Sequence, residues 1–260
     1  MALEIQDIAF RYSTGVNVFE HISLKILQGE ILGILGPNGT GKTTLMKCMN
    51  NVLEPCEGKV LYEGKVITEM TRRQIAKIIA YVPQYVNDLF DSTVVETVMM
   101  GRIPYSPFKF SEEDKAITFD VLKKMDLESF AFRNVTTMSG GERQRVFISR
   151  ALVQQPKIIL LDEPTSSLDP YNQLFILHTV ARVVKENSLA AVLTIHDLNL
   201  AALFCDKILM LKDGGIFAYG DAKSVLTIEN IEAMYGVQSV VTVEDEYPYI
   251  RILKDIKSKK

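Results

Sequence analysis

Apolar residues recur along this chain with two periods, and the switches between them lay out its elements. Leu3 to Tyr12 alternates apolar and polar in two registers, Leu3 and Ile5, then Ile8, Phe10 and Tyr12, which predicts a half-exposed strand with a slip or bulge. Ile22, Leu24 and Ile26 alternate as a second strand. The run Glu30 to Leu35 reads as a buried strand, and Leu45 to Met49 as the start of a helix. Gly58 to Tyr62 predicts a short strand with a turn at Glu63-Gly64, and Ile78 to Val82 a buried strand closed by Pro83. From about Leu89 to Met138 the spacing is helical, with Ser111 as a cap ahead of Glu112, Glu113 and Asp114. Strand and helix then alternate again: a helix over Gly140 to Gln154, a strand over Lys157 to Leu161, a helix over Tyr171 to Glu186 and a strand over Leu189 to Ile195. A hairpin follows across Lys212 to Gly215, then a short helix near Ile228 to Tyr235 and a last strand. The uninterrupted apolar strands point to a covered, mostly parallel sheet in an α/β fold.

Composition narrows the function classes. The formal net charge of −3 over 260 residues argues against an extended nucleic-acid footprint. No apolar stretch approaches the ~18–20 residues that span a bilayer. Met1 to Glu4 lacks a basic region with an apolar core behind it, so no signal peptide is expected and the chain reads as cytosolic. Cys48, Cys56 and Cys205 are scattered without metal-ligand spacing and read as ordinary thiols. The basic tail Lys254 to Lys260 reads as a solvated chain end.

Three segments carry chemistry. Gly36-Pro37-Asn38-Gly39-Thr40-Gly41-Lys42-Thr43-Thr44 fits the phosphate-loop pattern between a strand and a helix. Its glycines let backbone N–H groups curl around a phosphate at a helix N-terminus, Lys42 reaches the β- and γ-phosphates, and the Thr43 hydroxyl suits Mg²⁺. Ile158 to Leu161 is an apolar strand ending in Asp162 and Glu163. A parallel strand delivers such residues to the edge where the phosphate loop sits, so Asp162 is placed for Mg²⁺ and Glu163 to polarise an attacking water. Met138 to Arg145 holds a hydroxyl and two glycines, Ser139, Gly140 and Gly141, at a helix start, which is an anion-binding pattern.

In this order the segments resemble the ATP-binding-cassette (ABC) ATPases, and the resemblance covers nearly the whole chain. Met138 to Glu142 stands where the family has its LSGGQ signature, with Met138 for leucine and Glu142 for glutamine. Tyr12 matches the family's adenine-stacking aromatic, Gln84 its glutamine after the Val82-Pro83 turn, Ser167-Leu168-Asp169 the D-loop, and Ile195-His196-Asp197 the switch histidine. The resemblance implies a RecA-like P-loop core over residues 1–88 and 139–260 that carries an N-terminal antiparallel β-subdomain. It also implies a helical subdomain inserted at 89–138. It implies ATP and Mg²⁺ as ligands, with Thr43, Gln84 and Asp162 at the metal and Glu163, His196, Gln84 and Lys42 catalytic. Ser139, Gly140, Gly141 and Asp169 would act in trans across a head-to-tail homodimer.

By the same resemblance the chain has one cassette and works with two transmembrane permease subunits, and indirectly with an extracytoplasmic substrate-binding protein, at the cytoplasmic face of the membrane. Thr97 to Tyr105 and the tail around Tyr235-Gly236-Val237 and Tyr247 to Ile250 look like segments of importers of iron–siderophores, haem and cobalamin. The alternative is a soluble ABC-type ATPase without a permease. Against it, Lys42 and Ser139 are too close for the long coiled coil of the repair type, and the translation type usually has two cassettes. A small-molecule kinase would leave the signature and His196 unexplained.

Overall fold

The computed structural model describes residues 2–13, 15–84 and 91–256, which form two compact units, Met1–Glu69 with Val192–Lys260 and Met70–Ala191. The first unit opens with β1 (Leu3–Arg11) and β2 (Asn17–Ile26), which pair antiparallel. Their register shifts at Ile5/Ile8 and Ile8/Phe10, so the two registers of the sequence are a real irregularity, with Asp7 at φ 48°. β3 (Ile31–Leu35) is wholly buried and leads through a loop into α1 (Lys42–Met49). α1 begins three residues before the apolar run that announced it, because its first turn lies in the glycine loop. β4 (Glu57–Tyr62) and β5 (Lys65–Val66) extend the antiparallel sheet in the order β2-β1-β4-β5.

The second unit starts with α2 (Arg72–Ile78), which the hydrophobic pattern did not disclose. Only Ile75 of it is buried, so there is no apolar stripe to detect; a capping box between Thr71 and Gln74 starts it instead. β6 (Ile79–Val82) pairs in parallel with β7 (Ile158–Leu161). Between these strands lie α3 (Val94–Met99), α4 (Glu112–Lys124) and α5 (Gly140–Leu152). Ser111 caps α4 as its sequence suggested, and Asp114 completes the box. α6 (Pro170–Asn187) follows, and β8 (Ala190–Thr194) is the strand in which the division between units falls. The expected boundary at 88/89 and the tail end Lys257 to Lys260 lie outside the described residues.

Back in the first unit, α7 (Leu198–Phe204) leads to β9 (Lys207–Lys212), which pairs in parallel with β3, and to β10 (Gly215–Gly220), antiparallel to β9. After α8 (Ala222–Val225) and α9 (Ile228–Tyr235), the expected last strand proves to be a hairpin, β11 (Val237–Glu244) and β12 (Tyr247–Ile256). The fold is α/β with an antiparallel N-terminal sheet, mainly parallel inner strands and helices gathered between β6 and β7.

The segment after α3 has a packing role. A Cβ on Gly101 would meet the Arg150 carbonyl oxygen at 2.1 Å, so only glycine lets this turn lie against α5. Arg102 is buried; its Nε donates to Asp114 at 2.7 Å, and its Nη1 to the Val153 carbonyl and to Gln155, each at 3.0 Å. Burial would raise the Asp114 pKa, but the bonds from Arg102, Ser111 and Ser106 outweigh it and hold the carboxyl well below the usual range. This network ties α4 to the C-terminal end of α5.

Candidate active site

In the first unit, Gly36, Gly39 and Gly41 all take positive φ, a conformation open to glycine that lets the loop turn tightly ahead of α1. A Cβ on Gly36 would sit 2.5 Å from the Leu211 carbonyl oxygen, and one on Gly41 2.8 Å from Val18 Cγ1. Gly41 is the N-cap of α1; no side chain caps that helix and its first turn has no acid, the composition of a helix start that suits an anion. Lys42 is 6% exposed, and its ammonium donates to the carbonyls of Gly36 at 2.7 Å and Pro37 at 3.0 Å. Thr40 closes the turn by donating its hydroxyl to Pro37 at 3.0 Å, Asn38 is exposed, and Thr43 is half-buried on the first turn of α1. Tyr12 is 46% exposed, meets Phe10 edge-on with ring centroids 5.0 Å apart, and shares a 3.2 Å hydrogen bond with the Thr44 hydroxyl. The aromatic and the phosphate loop are thus brought together.

In the second unit, the parallel register pairs Val82 with Leu161, so the residues after β6 and β7 emerge at one edge. The Asp162 N–H donates to the Val82 carbonyl at 2.9 Å, one step past the strand. Asp162 is 3% exposed and accepts from the Tyr81 hydroxyl at 3.3 Å. Burial, then the charge and bond of Asp162, push the Tyr81 phenol above its ordinary pKa, so it stays a donor. Glu163 takes φ 48°, an uncommon region for a side-chain-bearing residue, and its carboxylate accepts from the Gln84 amide. The structure thus brings Gln84 to Glu163, next to Asp162 in the chain. Within the second unit these three side chains carry hard oxygen donors, the kind Mg²⁺ takes.

Ser139 caps α5 in a capping box: its hydroxyl accepts from the Glu142 N–H at 3.3 Å, and its own N–H donates to the Glu142 carboxylate at 2.8 Å. Those bonds, from the Ser139 backbone first and its side chain second, lower the Glu142 pKa. A serine oxygen used as acceptor still has its hydrogen to donate. Gly140 is open, with nothing within 4 Å of a Cβ built there, whereas a Cβ on Gly141 would meet the Asn172 amide at 2.8 Å. Asp169 caps α6 through the Asn172 N–H at 2.9 Å and also holds the Asn172 side chain at 2.6 Å. Gly141 and Asp169 thus meet through Asn172.

His196 follows β8 in the first unit, one residue after Ile195, whose N–H donates to the Ile34 carbonyl of β3 at 3.3 Å. It is exposed, at the same strand edge from which the phosphate loop leaves, and Asp197 behind it caps α7. Tyr81, Asn172 and Asn199 went unremarked in the sequence. Asn172 was the most accessible of them, since Asp169 with Asn172 three residues on is a helix-start pattern. The phosphate loop, Tyr12 and His196 belong to the first unit, and Gln84, Asp162, Glu163, Ser139 to Gly141 and Asp169 to the second.

Residues 19–166 match the ABC transporter family. An uncharacterized ABC transporter ATP-binding protein of Methanocaldococcus jannaschii is 41% identical over 241 residues, 93% of this chain and 94% of that one. The hemin import ATP-binding protein of Bordetella avium is 35% identical, covering 93% and 94% of the two chains, and the phosphonates import ATP-binding protein of Alcaligenes faecalis 34%, covering 94% and 91%. The cobalamin import ATP-binding protein of Halobacterium salinarum is 37% identical over 87% of this chain, which spans 57% of that relative's length. Among solved structures, an inward-facing ABC transporter described as of the metal-chelate type superposes with a TM-score of 0.84 at 28% identity, over 99% of this chain and 98% of that one. A dimeric ATP-binding cassette in a post-hydrolysis state with ADP and phosphate gives 0.76 at 30% identity, over 85% and 98%. Sequence, fold and site geometry lead to one conclusion: the chain belongs to the ABC transporter family as its ATP-binding, ATP-hydrolysing cassette.

Proposed function

We propose that this chain drives an importer, as a head-to-tail pair of copies bound to two permease subunits at the cytoplasmic face of the membrane. The hydrolytic reading is carried by one arrangement: a Glu163 carboxylate held by Gln84 beside the buried Asp162. In this reading Tyr12 stacks on adenine and the loop Gly36 to Thr44, with Lys42, holds the phosphates. Thr43, Gln84 and Asp162 would hold Mg²⁺, which would supply positive charge against the phosphates. Glu163 orients and polarises the attacking water, and His196 contacts the γ-phosphate. Ser139, Gly140, Gly141 and Asp169 of the partner subunit close over the nucleotide. Phosphoryl transfer needs positioning and charge stabilisation more than covalent chemistry, so donors supplied in trans make turnover depend on closure.

For the cargo, we favour an iron complex, haem or cobalamin over a phosphonate. Support comes from the Thr97 to Tyr105 segment, from the hemin and cobalamin relatives, and from the metal-chelate type transporter that matches over the chain's full length. The phosphonate relative is the competing outcome. Transport assays with a reconstituted permease and its substrate-binding protein decide between them.

Sharing of the site is tested by mixing variants. Lys42→Ala spoils the phosphate loop. Gly140→Asp, at a position open to a side chain, puts a carboxylate where the shared phosphate would lie. Each alone should be inactive, and mixed they should recover activity through one intact composite site per dimer. Absence of recovery, with dimers present, overturns the head-to-tail reading. Glu163→Gln should retain ATP binding, slow turnover by about 10²–10⁴ and accumulate ATP-dependent dimers; normal hydrolysis by this variant removes Glu163 from its role.

A further inference from the structure

The C-terminal hairpin β11–β12 packs against two helices of the first unit. A two-stranded ribbon is marginal by itself in water, so its order derives from what it docks on. β12 packs on α7, the helix that follows His196, and β11 packs on α9. The contact with α7 is specific. The Asn199 side chain donates to the Ile250 carbonyl at 3.1 Å and accepts from the Ile250 N–H at 2.7 Å. A single amide thereby satisfies both outward backbone groups of a strand residue that is itself buried, as a neighbouring strand would.

His196 therefore sits on a short span tied at both ends. Behind it the Ile195 N–H is held by Ile34; ahead of it Asp197 caps α7, and Asn199 joins that first turn to the hairpin. Beside the span lies a cavity of about 400 Å³ walled by His196, Asp197, Tyr235, Val237 and Ile252. On that side the hairpin reaches the histidine segment through the Asn199 amide.

We infer that Asn199 is a positioning residue: by locking the first turn of α7 to β12 it fixes where His196 presents its imidazole, and the C-terminal hairpin is the brace. The inference rests on the γ-phosphate role proposed for His196. Displacing a reacting group by about 1 Å can cost up to about 10² in rate, so loss of the brace should lower turnover and leave binding alone. Asn199→Ala should reduce kcat for ATP about tenfold with KM changed less than twofold. In a His196→Ala background, the same substitution should cause no further loss of single-turnover rate, because the group it positions is gone. Wild-type kcat in Asn199→Ala alongside a crippled His196→Ala overturns this inference and spares the reading of His196, as does a full additional loss in the double variant. Wild-type turnover in His196→Ala overturns both. Should Asn199→Ala fold poorly, amide exchange in Glu163→Gln decides. ATP should change the protection of the Ile250 N–H, and unchanged protection refutes the brace.

Discussion

The chain carries two glycine-rich helix starts, and they are finished in opposite ways. α1 begins at Gly41 with no side-chain cap and no acid in its first turn, so no side chain of its own start competes with an external anion there. α5 begins at Ser139 with a complete capping box, and the acid of that box, Glu142, occupies the Ser139 N–H. Both look like anion sites in the sequence, yet only the first is built as an open receptor. The second is satisfied internally, so an incoming phosphate must share or displace a carboxylate that stays ionised, since its bonds to Ser139 lower its pKa. A helix N-terminus thus becomes a receptor or a closure-dependent contact according to what its own first turn supplies.

Lys42→Ala and Ser139→Ala probe the comparison most strongly. Removing the ammonium forfeits charge-assisted bonds worth about 1.5–3 kcal/mol, so ATP affinity should fall about 10- to 150-fold with little change in Tm. Ser139→Ala should instead cost stability, about 1 kcal/mol for a lost cap, and leave ATP binding to the single chain unchanged. Equal ATP affinities for Lys42→Ala and the parent, or weakened ATP binding by monomeric Ser139→Ala, would break the distinction.

Glu142→Gln gives the smallest effect. It keeps the shape of the box and removes the charge, so ATP-dependent dimerisation should tighten a few-fold, the scale of a solvent-exposed charge pair. Unaltered dimerisation would remove the carboxylate from the closure step. The sign with pH follows from its lowered pKa. The capping contribution is complete above the ordinary glutamate pKa of about 4.3 and is lost as pH falls through the lower folded value. Thermal unfolding followed through acid pH should show that loss in the parent chain and lack it in Glu142→Gln.

Much of this was legible beforehand because strands and long helices carry their own periodic signal. The bulged β1, the buried β3 and β7, the cap at Ser111 and the phosphate loop are local patterns, and local sterics and burial produce them. α2 and α7 escaped because neither has an apolar stripe: α2 buries only Ile75, and α7 buries only Ala201 and Ala202. The Thr97 to Tyr105 segment, legible in the sequence as an importer-like stretch, also has a packing role that the sequence did not disclose. Within the fold, its Gly101 and Arg102 are occupied in packing the turn onto α5 and pinning α4.

By itself the sequence determined the chemistry available: a lysine among glycines, paired carboxylates ending an apolar strand, a serine at a helix start, a histidine after another strand. Those depend on residue type and short spacing, which the chain carries in its order. Only the tertiary structure decided which groups restrain one another. Gln84 reaches Glu163, Tyr81 reaches Asp162, Tyr12 reaches Thr44 and Asn199 reaches Ile250 across sequence separations of 79, 81, 32 and 51. Such pairings follow from strand register and from how buried faces stack, and no local pattern encodes either.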